Sequence, residues 1–170
     1  MFFRRAPKPA HSVADAGHDV LQELVHAHST TLDADAQRLI VAVAGLLASV
    51  AYADRLYKPE EQVYAREALS RMDGLTPDGV NAICSVLDQR GPHIAAVNPQ
   101  AYTRELRERT DVELRREVLD VLLDLAAADG ELSLAETDLL RRTTSALGLA
   151  PDDYLASQAR HRDKLKLLRG

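Results

Sequence analysis

Sliding the chain along itself by 75 residues superposes Val43 to Asp73 on Val118 to Gly148, pairing Val43 with Val118, Leu47 with Leu122, Ala51 with Ala126 and Ala53 with Ala128. The same shift pairs Asp54 with Asp129, Glu61 with Glu136 and Arg66 with Arg141. Dropping one residue extends the match, so that Leu75, Pro77 and Asp78 face Leu149, Pro151 and Asp152. Each copy therefore reads as helix, acidic turn, helix, turn, helix. A chain of this length that says the same thing twice in helical periodicity has few folds open to it other than a helical bundle.

The rest of the chain agrees. Aromatics make up only 4% and Trp is absent, while helix formers crowd the text, and no strand alternation appears anywhere. Ser12 to Ser29 carries apolar residues at helical spacing. Thr30 or Thr31 is placed to cap a second helix through Leu39, Ile40, Val43, Leu47 and Val50, apolar almost all round and so expected at the bundle centre. Pro59 opens a third, Thr76-Pro77 a fourth and Asn98-Pro99 a fifth, with Arg90-Gly91-Pro92-His93 reading as a break between the last two. Asp111 opens a long helix ending at Asp129-Gly130. Ser133 with Glu136 forms a capping box for the next, and Pro151-Asp152-Asp153 starts the last. The expectation is an all-α bundle of seven to eight helices, divided as 1–30 (basic segment and first helix), 31–159 (helical domain) and 160–170 (basic tail).

Charge is uneven along the chain. Setting aside Arg4, Arg5, Lys8, Arg160, Arg162, Lys164, Lys166, Arg169 and Asp163 leaves 13 basic against 25 acidic residues in the body. Such a body repels phosphate backbones, so nucleic acid is not an expected partner, and cations or cationic partners suit it better. Met1-Phe2-Phe3-Arg4-Arg5 lacks the apolar stretch of a signal peptide, and Leu39 to Ala53, at 15 residues, is short for a bilayer. Single Cys84 lies in an apolar run and reads as core. The expected location is the cytoplasm.

An Asp at a helix C-terminus meets the negative end of the helix dipole, so having one at both Asp54 and Asp129 asks for a reason. Two readings are open. In the structural one, each carboxylate accepts N–H bonds from the next residues and organises the turn. In the functional one it binds a cation, since Asp129-Gly130-Glu131 through Glu136 reproduces the second half of a calcium loop. The first half is missing, with Leu125 and Ala127 where the first oxygen ligands would stand, so an EF-hand is rejected. What survives is a looser carboxylate site of Asp54, Glu61, Asp129, Glu131 and Glu136 for calcium, magnesium, manganese or zinc.

The run Leu125 to Glu136, followed by Leu139-Leu140 and by Ala146-Leu147-Gly148-Leu149-Ala150-Pro151-Asp152-Asp153-Tyr154, resembles the signature of the TerB-like family. This is the tellurite-resistance domain, also found at the N-terminus of some membrane-anchored J-domain co-chaperones. The likeness covers about Leu39 to Gln158, and Arg55 stands where the family often has Gly. It implies internal pseudo-twofold symmetry, with Asp54, Glu61, Asp129 and Glu136 at the two related turns where metal binding is suspected in the family. It further implies a bacterial stress-response protein that acts through protein partners, some at the inner face of the membrane, with no established reaction.

Other constellations carry less. His11, His18, His26 and His28 have no further ligand at metal spacing, no Gly-rich phosphate loop occurs, and no strained nucleophile presents Ser or Cys for catalysis. The expected function is thus a non-enzymatic interaction module. The alternatives are a metal-dependent hydrolase using the same carboxylates, or a structural adaptor at the membrane surface through the basic, Leu-containing tail.

Overall fold

Caps and prolines fix where the helices begin, and the repeat fixes how they pack. The computed structural model describes residues 13–29, 31–97 and 99–169. Among these, eight helices form and no strand: α1 (Val13–His28), α2 (Ala34–Ala51), α3 (Pro59–Ser70), α4 (Pro77–Ala95), α5 (Pro99–Arg109), α6 (Val112–Ala126), α7 (Leu134–Ala146) and α8 (Pro151–Arg169). The basic opening Met1 to Lys8, His11, and the expected caps Thr30 and Asn98 lie outside the described residues. Asp33, and not Thr31, caps α2: its side chain accepts the Ala36 N–H at 2.8 Å. Thr76, Asp111 and Ser133 cap α4, α6 and α7 as their positions in the sequence require.

Helix α2 is long and apolar enough to cross a membrane by length and composition, yet eleven of its 18 residues are buried inside the bundle. Its packing makes it the hub. It meets α1, α4, α5 and α6, while α6 in turn carries α3, α7 and α8. The 75-residue repeat becomes a pseudo-twofold in space: α4 lies on α2 as α8 lies on α6, and α3 crosses to α6 as α7 crosses to α2. Leu39 and Val43 of α2, with their counterparts Leu114 and Val118 of α6, line one groove of about 580 Å3 at this crossing. Leu47 and Leu122, also paired by the repeat, are both buried to within 1% in the core, each stabilising by about 1.5–3 kcal/mol.

Helices α1 and α5 stand outside the repeat. α1 lies on α4 and α2 and sends Leu21 and Val25 into the core, and α5 lies across α2 and α7. There the Tyr102 ring rests on Gly45, where any β-carbon would overlap it.

The break expected at Arg90-Gly91-Pro92-His93 does not exist: α4 runs straight through, with Pro92 inside the helix. A proline in a helix leaves the carbonyl four residues back without its N–H, and here that carbonyl belongs to Asp88. The hydroxyl of Tyr52, from the end of α2, lies 2.9 Å from the Leu87 carbonyl and 3.3 Å from that of Asp88. Gly91 makes room for the tyrosine ring. A donor from another helix thus comes within 3.3 Å of the carbonyl that lost its N–H, and no local pattern reveals it.

Candidate functional site

The two acidic turns are built alike, bond for bond. In the first, Arg55 N–H donates to the Tyr52 carbonyl at 3.0 Å, and in the second Gly130 N–H donates to the Ala127 carbonyl at 2.9 Å. Leu56 N–H donates to Asp54 Oδ1 at 3.0 Å, and Glu131 N–H to Asp129 Oδ1 at 3.0 Å. Both are Asx turns that reverse the chain between helices. Arg55 and Gly130 both adopt positive φ, 69° and 91° respectively, so the first copy pays with a side chain for a conformation that glycine takes freely.

The next residues close each turn onto the helix that follows. Ser133 and Glu136 form a full capping box: Glu136 N–H donates to Ser133 Oγ at 3.1 Å, and Ser133 N–H to Glu136 Oε2 at 2.7 Å. In the first copy Lys58 N–H donates to Glu61 Oε2 at 2.9 Å, but a lysine side chain has no acceptor to return the bond. That half-box is a poor N-cap, and the lysine is spent elsewhere. Its Nζ reaches across the pseudo-twofold to Asp129 Oδ2 at 2.6 Å, with Asp54 Oδ2 at 3.9 Å.

The two glutamates meet beneath this pair. Glu61 and Glu136 are both wholly buried, and Oε1 of each has no hydrogen-bond partner. Burial pushes the Glu61 carboxyl up to about 7, with the Lys58 N–H opposing and the neighbouring Glu136 carboxyl reinforcing the rise. The Asp129 carboxyl is held below its usual range, first by the hydrogen bond from the Lys58 ammonium and then by the Glu131 N–H.

Four of the five residues singled out from the sequence, Asp54, Glu61, Asp129 and Glu136, are therefore gathered at one place, while Glu131 contributes its backbone N–H and is itself exposed. The residue that sequence reasoning missed is Lys58. A signal existed: lysine is a poor N-cap, and its charge is unfavourable at the positive end of a helix. With Lys58 in place the turns do not fit a divalent ion, since the ammonium already occupies Asp129 Oδ2. Among the described residues no three His, Cys, Asp or Glu side chains converge to hold a metal.

A second feature lies between α5 and α7. Two adjoining clefts, of about 720 and 340 Å3, share Gln100, Thr103 and Ala146. Arg104 and Arg107 from α5 line the larger and Arg142 from α7 the smaller, with Glu108 the one carboxylate among the lining residues. Elsewhere Arg38, Arg71, Arg109, Arg116 and Arg160 each pair with a carboxylate, while Arg66, Arg115 and Arg141 are held by an amide, a carbonyl and a tyrosine ring. The three cleft arginines are exposed and form no ion pair among the described residues.

Comparison with known protein families matches the chain to the family model described as tellurite resistance protein TerB, across residues 40–159. No curated protein and no solved structure matches the chain.

Proposed function

The chain belongs to the TerB family, and from that premise we propose that it is a non-enzymatic interaction module of a tellurite-resistance-type stress response, which docks an acidic segment of a protein partner between α5 and α7. The observation that carries this reading is the convergence of Arg104, Arg107 and Arg142, all without ion pairs, on adjoining clefts in a chain whose body is otherwise acidic. Guanidinium groups recognise carboxylates bidentately, and Gln100 and Thr103 add polar groups along the same walls. Pro99, Leu139 and Ala146 supply apolar surface beside them, which suits a peptide with carboxylates and an apolar side chain. The surrounding negative charge disfavours a nucleic-acid backbone, whose phosphates extend well beyond one cleft.

The twin turns have a different part in this reading. Their oxygens hold the two halves of the bundle in register, so the surface made by α5 and α7 is presented rigidly.

The test is fluorescence anisotropy of a labelled peptide alternating Glu and Leu. Saturable binding that weakens with salt and falls at least about tenfold in the Arg104→Glu, Arg142→Glu double variant supports the proposal. Equal affinity in that variant, or equal binding of a Lys/Leu peptide, removes it.

A further inference from the structure

We propose that α1 is latched onto α5 by an internal water molecule, bonded at once to His18 Nδ1 and Tyr102 Oη in the small cavity between α1, α2 and α5.

Nδ1 of His18 and the hydroxyl of Tyr102 are both shut off from solvent, and neither has a hydrogen-bond partner among the described residues. A buried polar atom without a partner is costly, so native structures satisfy nearly all of them, with protein or with ordered water. The two rings lie 5.7 Å apart between centroids. Both side chains line one cavity of about 50 Å3, together with Gln22, Arg38 and Glu105.

Glycines hold both rings where they are. At Gly17, beside His18, a β-carbon would come within 3.1 Å of the His93 and Ile94 backbone, so α1 sits close on α4. The Tyr102 ring rests on Gly45 and is only 1% exposed. Packing therefore fixes the two polar atoms, and the bond that each needs has to come from a third body.

Size and charge identify that body. A buried water needs about 10–15 Å3, whereas organic ligands take about 300 Å3 or more. The charged walls already have partners, Arg38 with Asp35 at 3.9 Å and Glu105 with Arg109 at 2.8 Å, which favours a neutral occupant over an ion. Water both donates and accepts, so it suits a hydroxyl and either tautomer of the imidazole. Gln22 and Glu105 supply the further polar partners that a buried water takes. Helix α1, and with it His18, lies outside the residues 40–159 that match the family, so the latch is built partly from chain that the match does not cover.

The test is water–protein cross-relaxation by NMR on the full chain, with amide hydrogen exchange of α1 followed in parallel. The wild type is expected to show bound-water cross-peaks at ring protons of both His18 and Tyr102. Tyr102→Phe keeps the ring on Gly45 and removes only the hydroxyl. It is expected to lose the cross-peak at His18 and to raise exchange in α1 about threefold to tenfold relative to α6. Absence of bound water from either ring of the wild type overturns the inference. So does a Tyr102→Phe protein that keeps the water at His18, or one whose α1 exchanges as slowly as wild type. The wild-type cross-peaks decide by themselves should the variant fail to fold.

Discussion

The ring of Tyr52 rests against Gly91, in the one turn of α4 that contains an internal proline, and its hydroxyl donates to the Leu87 carbonyl with the Asp88 carbonyl, which Pro92 leaves without an N–H, also in reach. A tyrosine at the end of the hub helix thus keeps another helix continuous, which joins the integrity of α4 to the first acidic turn that begins at the same residue.

Gly91→Ala is expected to destabilise the domain by about 2 kcal/mol, because the added methyl must displace the ring. Tyr52→Phe keeps the ring and loses only the hydroxyl, at about 1 kcal/mol. Urea unfolding checks both, through a lower midpoint at unchanged slope. A Gly91→Ala protein as stable as wild type would mean that the ring does not sit where described.

Stability should fall as pH rises through the range set by Glu61. Its carboxyl titrates near 7 in the folded chain, above its ordinary value of 4.5. The folded state then holds a proton that the unfolded chain has released between those values. The contribution is fully present below the lower value, is lost progressively up to about 7, and is absent above it. Glu61→Gln carries a neutral group at every pH, so it is expected to flatten this slope and to gain about 1 kcal/mol at pH 8. Chemical denaturation from pH 4 to pH 9 reads the difference; an unchanged slope in the variant would place the titration elsewhere.

Arg55 and Gly130 hold the same left-handed turn position in the two copies. Gly130 has open space where a side chain would go, so Gly130→Ala tests conformation alone and should cost about 1 kcal/mol. Arg55→Gly is expected to change stability in the opposite direction by up to about 1 kcal/mol. Thermal unfolding of the two variants side by side should give Tm shifts of opposite sign.

Ser133→Ala removes the one complete capping box at these turns and should cost about 1 kcal/mol. The same measurement on Lys58→Ala separates cap from ion pair, since the Lys58 side chain contributes no cap bond and its pair with Asp129, with side chains 30% and 18% exposed, is worth about 1 kcal/mol if it behaves as a surface pair. A much larger loss at Lys58 than at Ser133 would mean that the ammonium carries the junction between the turns beyond what one surface pair supplies.

What the sequence determined is everything that a helix decides within three or four residues of itself. The caps at Thr76, Asp111 and Ser133, the prolines that open α3, α4, α5 and α8, the Asx turns at Asp54 and Asp129 and the repeat that pairs them are all local, and a local rule reads them correctly. The tertiary structure alone decided the bonds that span long stretches of chain. Pro92 remains helical because Tyr52 arrives from another helix, Glu61 and Glu136 become one buried pair because α3 and α7 cross the hub helices symmetrically, and Lys58 abandons its own cap for an aspartate 71 residues away. These are the places where the local preference is overruled, since a partner brought close by packing offers more free energy than the i to i+4 bond it replaces. The candidate carboxylates were legible because turns need them. The cation beside them showed only as an anomaly, a lysine at an N-cap where it has no local reason to be, and its partner across the pseudo-twofold was set by packing alone.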